Sequence, residues 1–178
     1  GLGVDVVEGS ARIVSPWEVE IARHDGSVQR LSTRSIVIAT GARPTVPPIP
    51  GLDEVGFLTS DTLWELRELP KRLLVLGGGP IGCELAQAFA RFGSQVSLVE
   101  MQPRLLSRED AEVSELVARR FAEEGIRVLT GHAAARFEIG QEGKILVARH
   151  GDAELRIPFD AVLVAVGRTA NLEGLGLE

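Results

Sequence analysis

The sequence predicts an α/β fold: a Rossmann-like domain on a parallel sheet, with an antiparallel β-meander and flanking β-rich segments. Three observations predict it. From Arg72 onward, short apolar runs alternate with amphipathic stretches of helical period. The loop "LGGGPIG" stands between the first of those runs and a helix. Finally, "AAARFEIG", "KILVARH" and "AELRIPF" follow one another with only "QEG" and "GD" between them.

In chain order, residues 4–39 read as β structure. "ARIV" and "WEVEIA" alternate or run apolar, Asp25-Gly26 signals a hairpin, and "SIVIAT" predicts a buried strand. "GARPTVPPIPGL" then carries four prolines, which makes it a stiff extended connector and the main internal boundary. A helix is expected over 60–68, capped by Ser60 or Asp61, with Leu63, Trp64 and Leu66 on its apolar side. Next come a strand at "RLLVLG", a helix over 80–92, a strand at "SQVSLVE", a helix over 109–124 and a strand at "IRVLT". Such continuous apolar strands suit a parallel sheet covered on both faces. The meander follows, and "DAVLVAVG" closes the order as a last buried strand.

Gly77, Gly79 and Gly82 form G-x-G-x-x-G in the strand–turn–helix setting that a dinucleotide site requires. Gly77 permits the tight turn, Gly79 admits a pyrophosphate to the backbone, and Gly82 lets helix and strand pack closely. The amides of Gly78, Ile81 and their neighbours in the loop and first helical turn then face the phosphates, aided by the helix dipole. Pro80 suits this turn, where a missing donor is no loss. Ile81, Leu85, Ala88, Phe89 and Phe92 form the stripe expected to lie on the sheet. Glu100 ends the next strand, where a carboxylate would bind the adenosine ribose. It would repel a 2′-phosphate, so NAD is expected over NADP, although Arg104 lies within reach of such a group. Glu84 reads either as a complement to the helix dipole or as a carboxylate aimed at the nicotinamide. Cys83 reads either as a reactive thiol at a helix start or as a small packed residue.

Composition narrows the function. The 178 residues carry a net charge of −6, and no run of Lys or Arg exceeds two, against a nucleic-acid surface. No apolar run approaches the roughly 18 residues of a membrane span, and a cytoplasmic setting is expected. One cysteine allows no internal disulfide, and His24, His132 and His150 lack ligand-type spacing.

"SIVIATGARPTVPPIPG", "LGGGPIGCELAQAFARFGSQVSLVE", "LLSREDAEV" and "VLVAVGRTANLEGLGLE" together resemble the FAD-dependent pyridine nucleotide–disulfide oxidoreductases, in the right order and over nearly the whole chain. Mercuric reductase, dihydrolipoamide dehydrogenase and glutathione reductase belong to that family, and "ELAQAFARFGS" and "RED" look closest to mercuric reductase. The resemblance implies that residues 1–69 end a first FAD-domain segment and its connector. It makes 70–168 the NAD(P) domain and 169–178 the return to the FAD domain. It also implies Thr40 and Gly41 near the flavin nucleotide, Glu84 at the flavin–nicotinamide junction, Ala134 in the adenine pocket and Gly167 beside the nicotinamide half.

The implied activity of the parent protein, a homodimer through a region absent here, is transfer of hydride from NADH to FAD. A disulfide, a mercuric ion or another acceptor would then be reduced. This chain lacks the family's first FAD-binding glycine loop, its redox cysteine pair and its C-terminal His–Glu pair. It is therefore expected to be a fragment that binds NADH weakly, FAD poorly, and turns nothing over. Pro80 and Ala170 depart from residues common in the family, and "SLVE" departs from mercuric reductases that select NADPH. Two alternatives remain: a non-catalytic dinucleotide-binding or assembly module, and an ordinary NAD-dependent dehydrogenase. The latter lacks a proton-transfer residue near the strand ends.

Overall fold

The structure is a computed structural model that describes residues 3–141 and 143–177. The chain divides into two compact units, one made of Gly1–Arg43 with Ala170–Glu178 and the other of Pro44–Thr169. In the first unit, β1 (Ser10–Ser15), β2 (Glu18–Ala22) and β3 (Val28–Ser32) form an antiparallel sheet in that order. The Asp25-Gly26 hairpin forms as expected. Gly26 takes φ +84°, and Asp25 accepts the Ser27 amide at 2.8 Å and its hydroxyl at 2.6 Å. Ile21 alone among this unit's described residues is buried. The strand expected at "SIVIAT" does not form: residues 35–40 have no regular structure, and Val37 is 87% exposed. β-branched residues favour a strand only where a neighbouring strand accepts their ladder, and none of the described residues does so here. The segments of this unit are tied by Asn171 N–H to Gly41 O (3.1 Å), by Ile13 N–H to Leu175 O (2.7 Å) and by an Arg43–Glu173 ion pair.

The chain passes between units through β4 (Ala42–Pro44) and returns through β12 (Arg168–Ala170). In the second unit the proline-rich connector leads to α1 (Leu52–Val55), a single turn that sequence patterning does not reveal. The helix expected over 60–68 shrinks to a 3-10 turn, Leu63–Glu65. Leu66 is already extended at ψ 134°, and Trp64 lies outside at 71% exposure, its indole N–H donating to Ser60 O at 2.8 Å.

The remaining elements are β5 (Arg72–Leu76), α2 (Pro80–Arg91), β6 (Gln95–Glu100), α3 (Ala111–Glu123), β7 (Arg127–Thr130), β8 (Ala133–Gly140), β9 (Gly143–His150), β10 (Ala153–Phe159) and β11 (Ala161–Val164). The parallel sheet has the order β11-β5-β6-β7, and the meander β10-β9-β8 is antiparallel. Alternate residues of β5 face opposite sides. Leu73 and Val75 join Ala86, Phe121 and Ile126 under the helices, while Leu74 and Leu76 join Phe137, Leu146 and Phe159 under the meander. This two-sided burial explains why "RLLVL" reads as an unbroken apolar run. Arg72 and Asp160 pin the starts of β5 and β11, the carboxylate accepting both the Arg72 amide (2.8 Å) and its guanidinium (2.5 Å).

The buried side of α2 is Gly82, Cys83 and Ala86, with Leu85, Phe89 and Ala90 partly covered. Of the expected stripe, Phe92 is 70% exposed and Ile81 and Ala88 stand outside this contact. The helix approaches the sheet too closely at its start for large side chains, so the smallest residues make the contact.

Glu124 joins the two helices. It accepts from Arg91 (2.7 Å) and Gln87 (3.1 Å) on α2, and Arg120 on α3 pairs with it at 2.7 Å. The Arg91 hydrogen bond, aided by Gln87 and by the Arg91 and Arg120 charges, outweighs burial and holds its carboxyl down to about 2. A carboxyl whose folded value lies below its unfolded one stabilises the fold above the unfolded value, near 4.3, and loses that contribution as pH falls toward 2. Glu124→Gln is therefore expected to lower the urea midpoint at pH 7 and to narrow the gap between variant and wild type by pH 2.5. Equal midpoint differences at both pH values would count against this account.

Candidate nucleotide-binding site

Parallel strands bring their C-terminal ends to one edge, so the residues after Leu76, Glu100, Thr130 and Val164 meet there. The loop after β5 turns at Gly77, which takes φ +104° and donates its N–H to Val99 O at 2.9 Å. A Cβ on Gly77 would lie 2.4 Å from Ala165 O, and one on Gly82 would lie 1.9 Å from Gly77 O. Both positions therefore demand glycine for packing reasons. Gly79 is different: a Cβ there would meet nothing within 4 Å, and its backbone is ordinary extended chain at φ −76°, ψ −178°. Its lack of a side chain serves no contact inside the protein.

The loop also leaves donors open. The first bond of α2 runs from Cys83 N–H to Gly79 O at 2.9 Å, and Pro80 has no N–H. Among the described residues, the amides of Gly79, Ile81 and Gly82 have no protein acceptor. Gly82 is itself a buried residue of the first helical turn. Three unpaired donors around the start of a helix, beside the open space at Gly79, match the needs of a diphosphate.

Glu100 stands against this loop. Its Oε2 accepts the Gly78 N–H at 2.5 Å and its Oε1 the Gln102 N–H at 2.7 Å. The structure thus brings Gly77, Gly78, Gly79, Pro80, Ile81, Gly82 and Glu100 together. Gly167 lies on the same edge with φ +133° and accepts the Thr45 N–H at 2.9 Å. Ala134, the second residue of β8, lies opposite Ala148 and packs, partly buried, on the meander side of the core. Glu84 is exposed and sits beyond the first helical turn, which holds no acidic residue. Its reading as a dipole complement therefore loses its geometric basis. Thr40 and Gly41 belong to the first unit, where the Thr40 hydroxyl donates to Asn171 O at 2.5 Å and Gly41 takes φ +73°.

Cys83 is a packed residue. It is buried, its Sγ lies 3.4 Å from Gly78 O, and burial pushes its thiol up to about 11, with the charges of Glu100 and Glu84 adding to that. Arg104 points to Ser107 O at 2.9 Å and Ser114 Oγ at 3.4 Å. It lines an open cavity of about 420 Å³ with Ser114, Glu115 and Thr130, and that lining includes neither the glycines nor Glu100.

Two features escape sequence reasoning. His132 and His150 stack with ring centroids 4.6 Å apart, one step beyond the Ala133–Arg149 pair of the β8–β9 ladder. Their Nδ1–H groups donate to Thr130 O and Gly131 O, since a carbonyl can only accept. The hairpin register is the signal that would have paired them. The other is Leu106, the one described non-glycine residue with positive φ, at +47°, whose N–H donates to Gly78 O at 2.8 Å. Nothing in its residue type announces this.

Comparison with known proteins places this geometry among relatives. The family model for pyridine nucleotide-disulphide oxidoreductases matches residues 2–178. A mercuric reductase of Streptomyces lividans is 40% identical over 176 residues, covering 99% of this chain and 37% of the relative. A dihydrolipoyl dehydrogenase of Chlorobaculum tepidum is 39% identical over 178 residues, covering 98% of this chain and 38% of the relative. Among solved structures, LpdA from Mycobacterium tuberculosis matches with a TM-score of 0.79 at 28% identity, over 98% of this chain and 39% of that one. A Cu(II) complex of the HOCl-induced flavoprotein disulfide reductase RclA from Escherichia coli matches with a TM-score of 0.75 at 31% identity, over 98% and 38%. The chain thus spans less than two fifths of the length of each. No helix among the described residues is long and apolar enough to cross a membrane.

Proposed function

Because this chain belongs to the pyridine nucleotide-disulphide oxidoreductase family, we propose that residues 70–168 form the NADH-binding part of a cytoplasmic flavoprotein oxidoreductase. Residues 1–69 and 169–178 then belong to its FAD domain. The parent protein, a homodimer, would pass reducing equivalents from NADH through FAD to a disulfide, a mercuric ion or another acceptor. The observation that carries the reading is the set of open amides at Gly79, Ile81 and Gly82 beside the clear space at Gly79.

These amides would take the diphosphate, with Gly77, Gly78 and Pro80 shaping the turn. Glu100 would accept hydrogen bonds from the adenosine ribose through lone pairs that its two amide bonds leave free. Its charge opposes a 2′-phosphate, which supports NAD over NADP. Ala134 would line the adenine pocket, Gly167 would flank the nicotinamide half, and Glu84 would face the flavin–nicotinamide junction. Thr40 and Gly41 would supply one wall of the flavin nucleotide site. Those flavin contacts are few, so the chain alone would hold FAD poorly and turn nothing over.

Calorimetry on this chain is the test. NADH is expected to bind weakly, with NADPH at least about tenfold weaker at moderate salt, a difference of roughly 1.4 kcal/mol. Tighter NADPH binding would reverse the cofactor assignment. No heat with either nucleotide would leave the chain as an assembly module.

A further inference from the structure

We infer that Glu100 and Leu106 are positioning residues that clamp Gly78 from both sides and thereby aim the Gly79 amide at the ligand. The inference rests on reading the loop as a diphosphate site, but its physical basis is independent of any nucleotide. Glu100 holds the Gly78 N–H at 2.5 Å, and Leu106 holds the Gly78 carbonyl at 2.8 Å. The carbonyl of Gly78 and the N–H of Gly79 share one planar trans peptide, so they point in opposite directions. Fixing the carbonyl toward Leu106 turns the Gly79 N–H the other way. That amide has no acceptor among the described residues.

Two further observations show that the clamp is built in. Leu106 adopts φ +47°, a conformation unfavourable for a branched side chain, and its amide bonds the loop from there. Gly78 lies outside the three fingerprint positions, yet a Cβ on it would sit 2.7 Å from Leu105 Cδ2 and 3.1 Å from Glu100 Cβ and Cγ. A side chain at Gly78 would therefore crowd Leu105 and the Glu100 stem that reaches the loop. Glu100 also braces its own segment, since its second oxygen holds the Gln102 N–H. Ribose recognition and loop shape thus depend on one side chain.

Residue-resolved amide exchange on the nucleotide-free 178-residue chain tests this. In Glu100→Gln only one side-chain oxygen remains to serve two amides. Exchange at Gly78 or Gln102 is expected to rise at least tenfold, with Leu74 and Leu98 unchanged. Should Glu100→Gln fail to fold, Glu100→Asp keeps the charge but is one methylene too short to hold both amides, and the same rise is expected. Wild-type exchange at both amides in a folded variant would overturn the clamp, because a residue serving only the ribose has no effect before nucleotide binds. If exchange rises while NADH gives no heat with the wild-type chain, the clamp stands and the nucleotide reading falls.

Discussion

Replacing Gly82 with alanine is expected to destabilise the second unit by about 1–3 kcal/mol, and to weaken NADH binding with it. The added Cβ would lie 1.9 Å from Gly77 O and 3.5 Å from Val75 Cγ1. The first neighbour is backbone in a turn already fixed by the Gly77–Val99 hydrogen bond, so it cannot rotate aside as a side chain would. Helix α2 must instead move off the sheet, which loosens Cys83 and Ala86 from the core beneath them. Thermal unfolding of the variant measures this. A midpoint equal to wild type would mean that the close contact between helix and loop carries no strain.

Gly79→Asp is expected to give the opposite combination: an intact or slightly steadier fold with binding lost. A Cβ at position 79 meets nothing within 4 Å, and the φ/ψ there is open to any residue. Gly79 is the N-cap of α2 and makes no side-chain cap bond, so an aspartate would supply one and complement the helix dipole. The gain is about 0.5 kcal/mol, since glycine is itself an acceptable N-cap. The same carboxylate would take the open amides of Ile81 or Gly82 and repel a diphosphate. NADH affinity is expected to fall by at least about a hundredfold, roughly 2.7 kcal/mol. Unchanged affinity in a folded Gly79→Asp chain would remove the loop from the binding site. The contrast between positions 79 and 82 separates a glycine kept for a ligand from one kept for packing.

Much of this site was legible because its parts are local. The run from Arg72 to Glu100 declares itself by a strand, a glycine loop, a helix and a second strand in succession, and its backbone follows almost without choice. The meander was legible for the same reason, as three β-runs joined by tight turns. The helix expected over 60–68 fails locally, since Leu66 already turns extended, but the larger failures are non-local. "SIVIAT" has the composition of a buried strand, but no described strand pairs with it. The α2 stripe was drawn from hydrophobicity alone, whereas the distance between helix and sheet selects Gly82, Cys83 and Ala86 for contact.

Chain order and residue type alone determined the Rossmann-like unit, the acid at the end of its second strand and the family resemblance. Each of these is a pattern of neighbours within one or two elements, and short-range sterics and burial suffice to enforce it. Tertiary structure alone decided which loop amides stay unpaired, that Glu100 bonds the backbone at Gly78 and Gln102, and that Leu106 bends into the left-handed region to hold Gly78. Those choices depend on directions of N–H and C=O groups in space, and the backbone that carries them is chemically the same at every residue except proline.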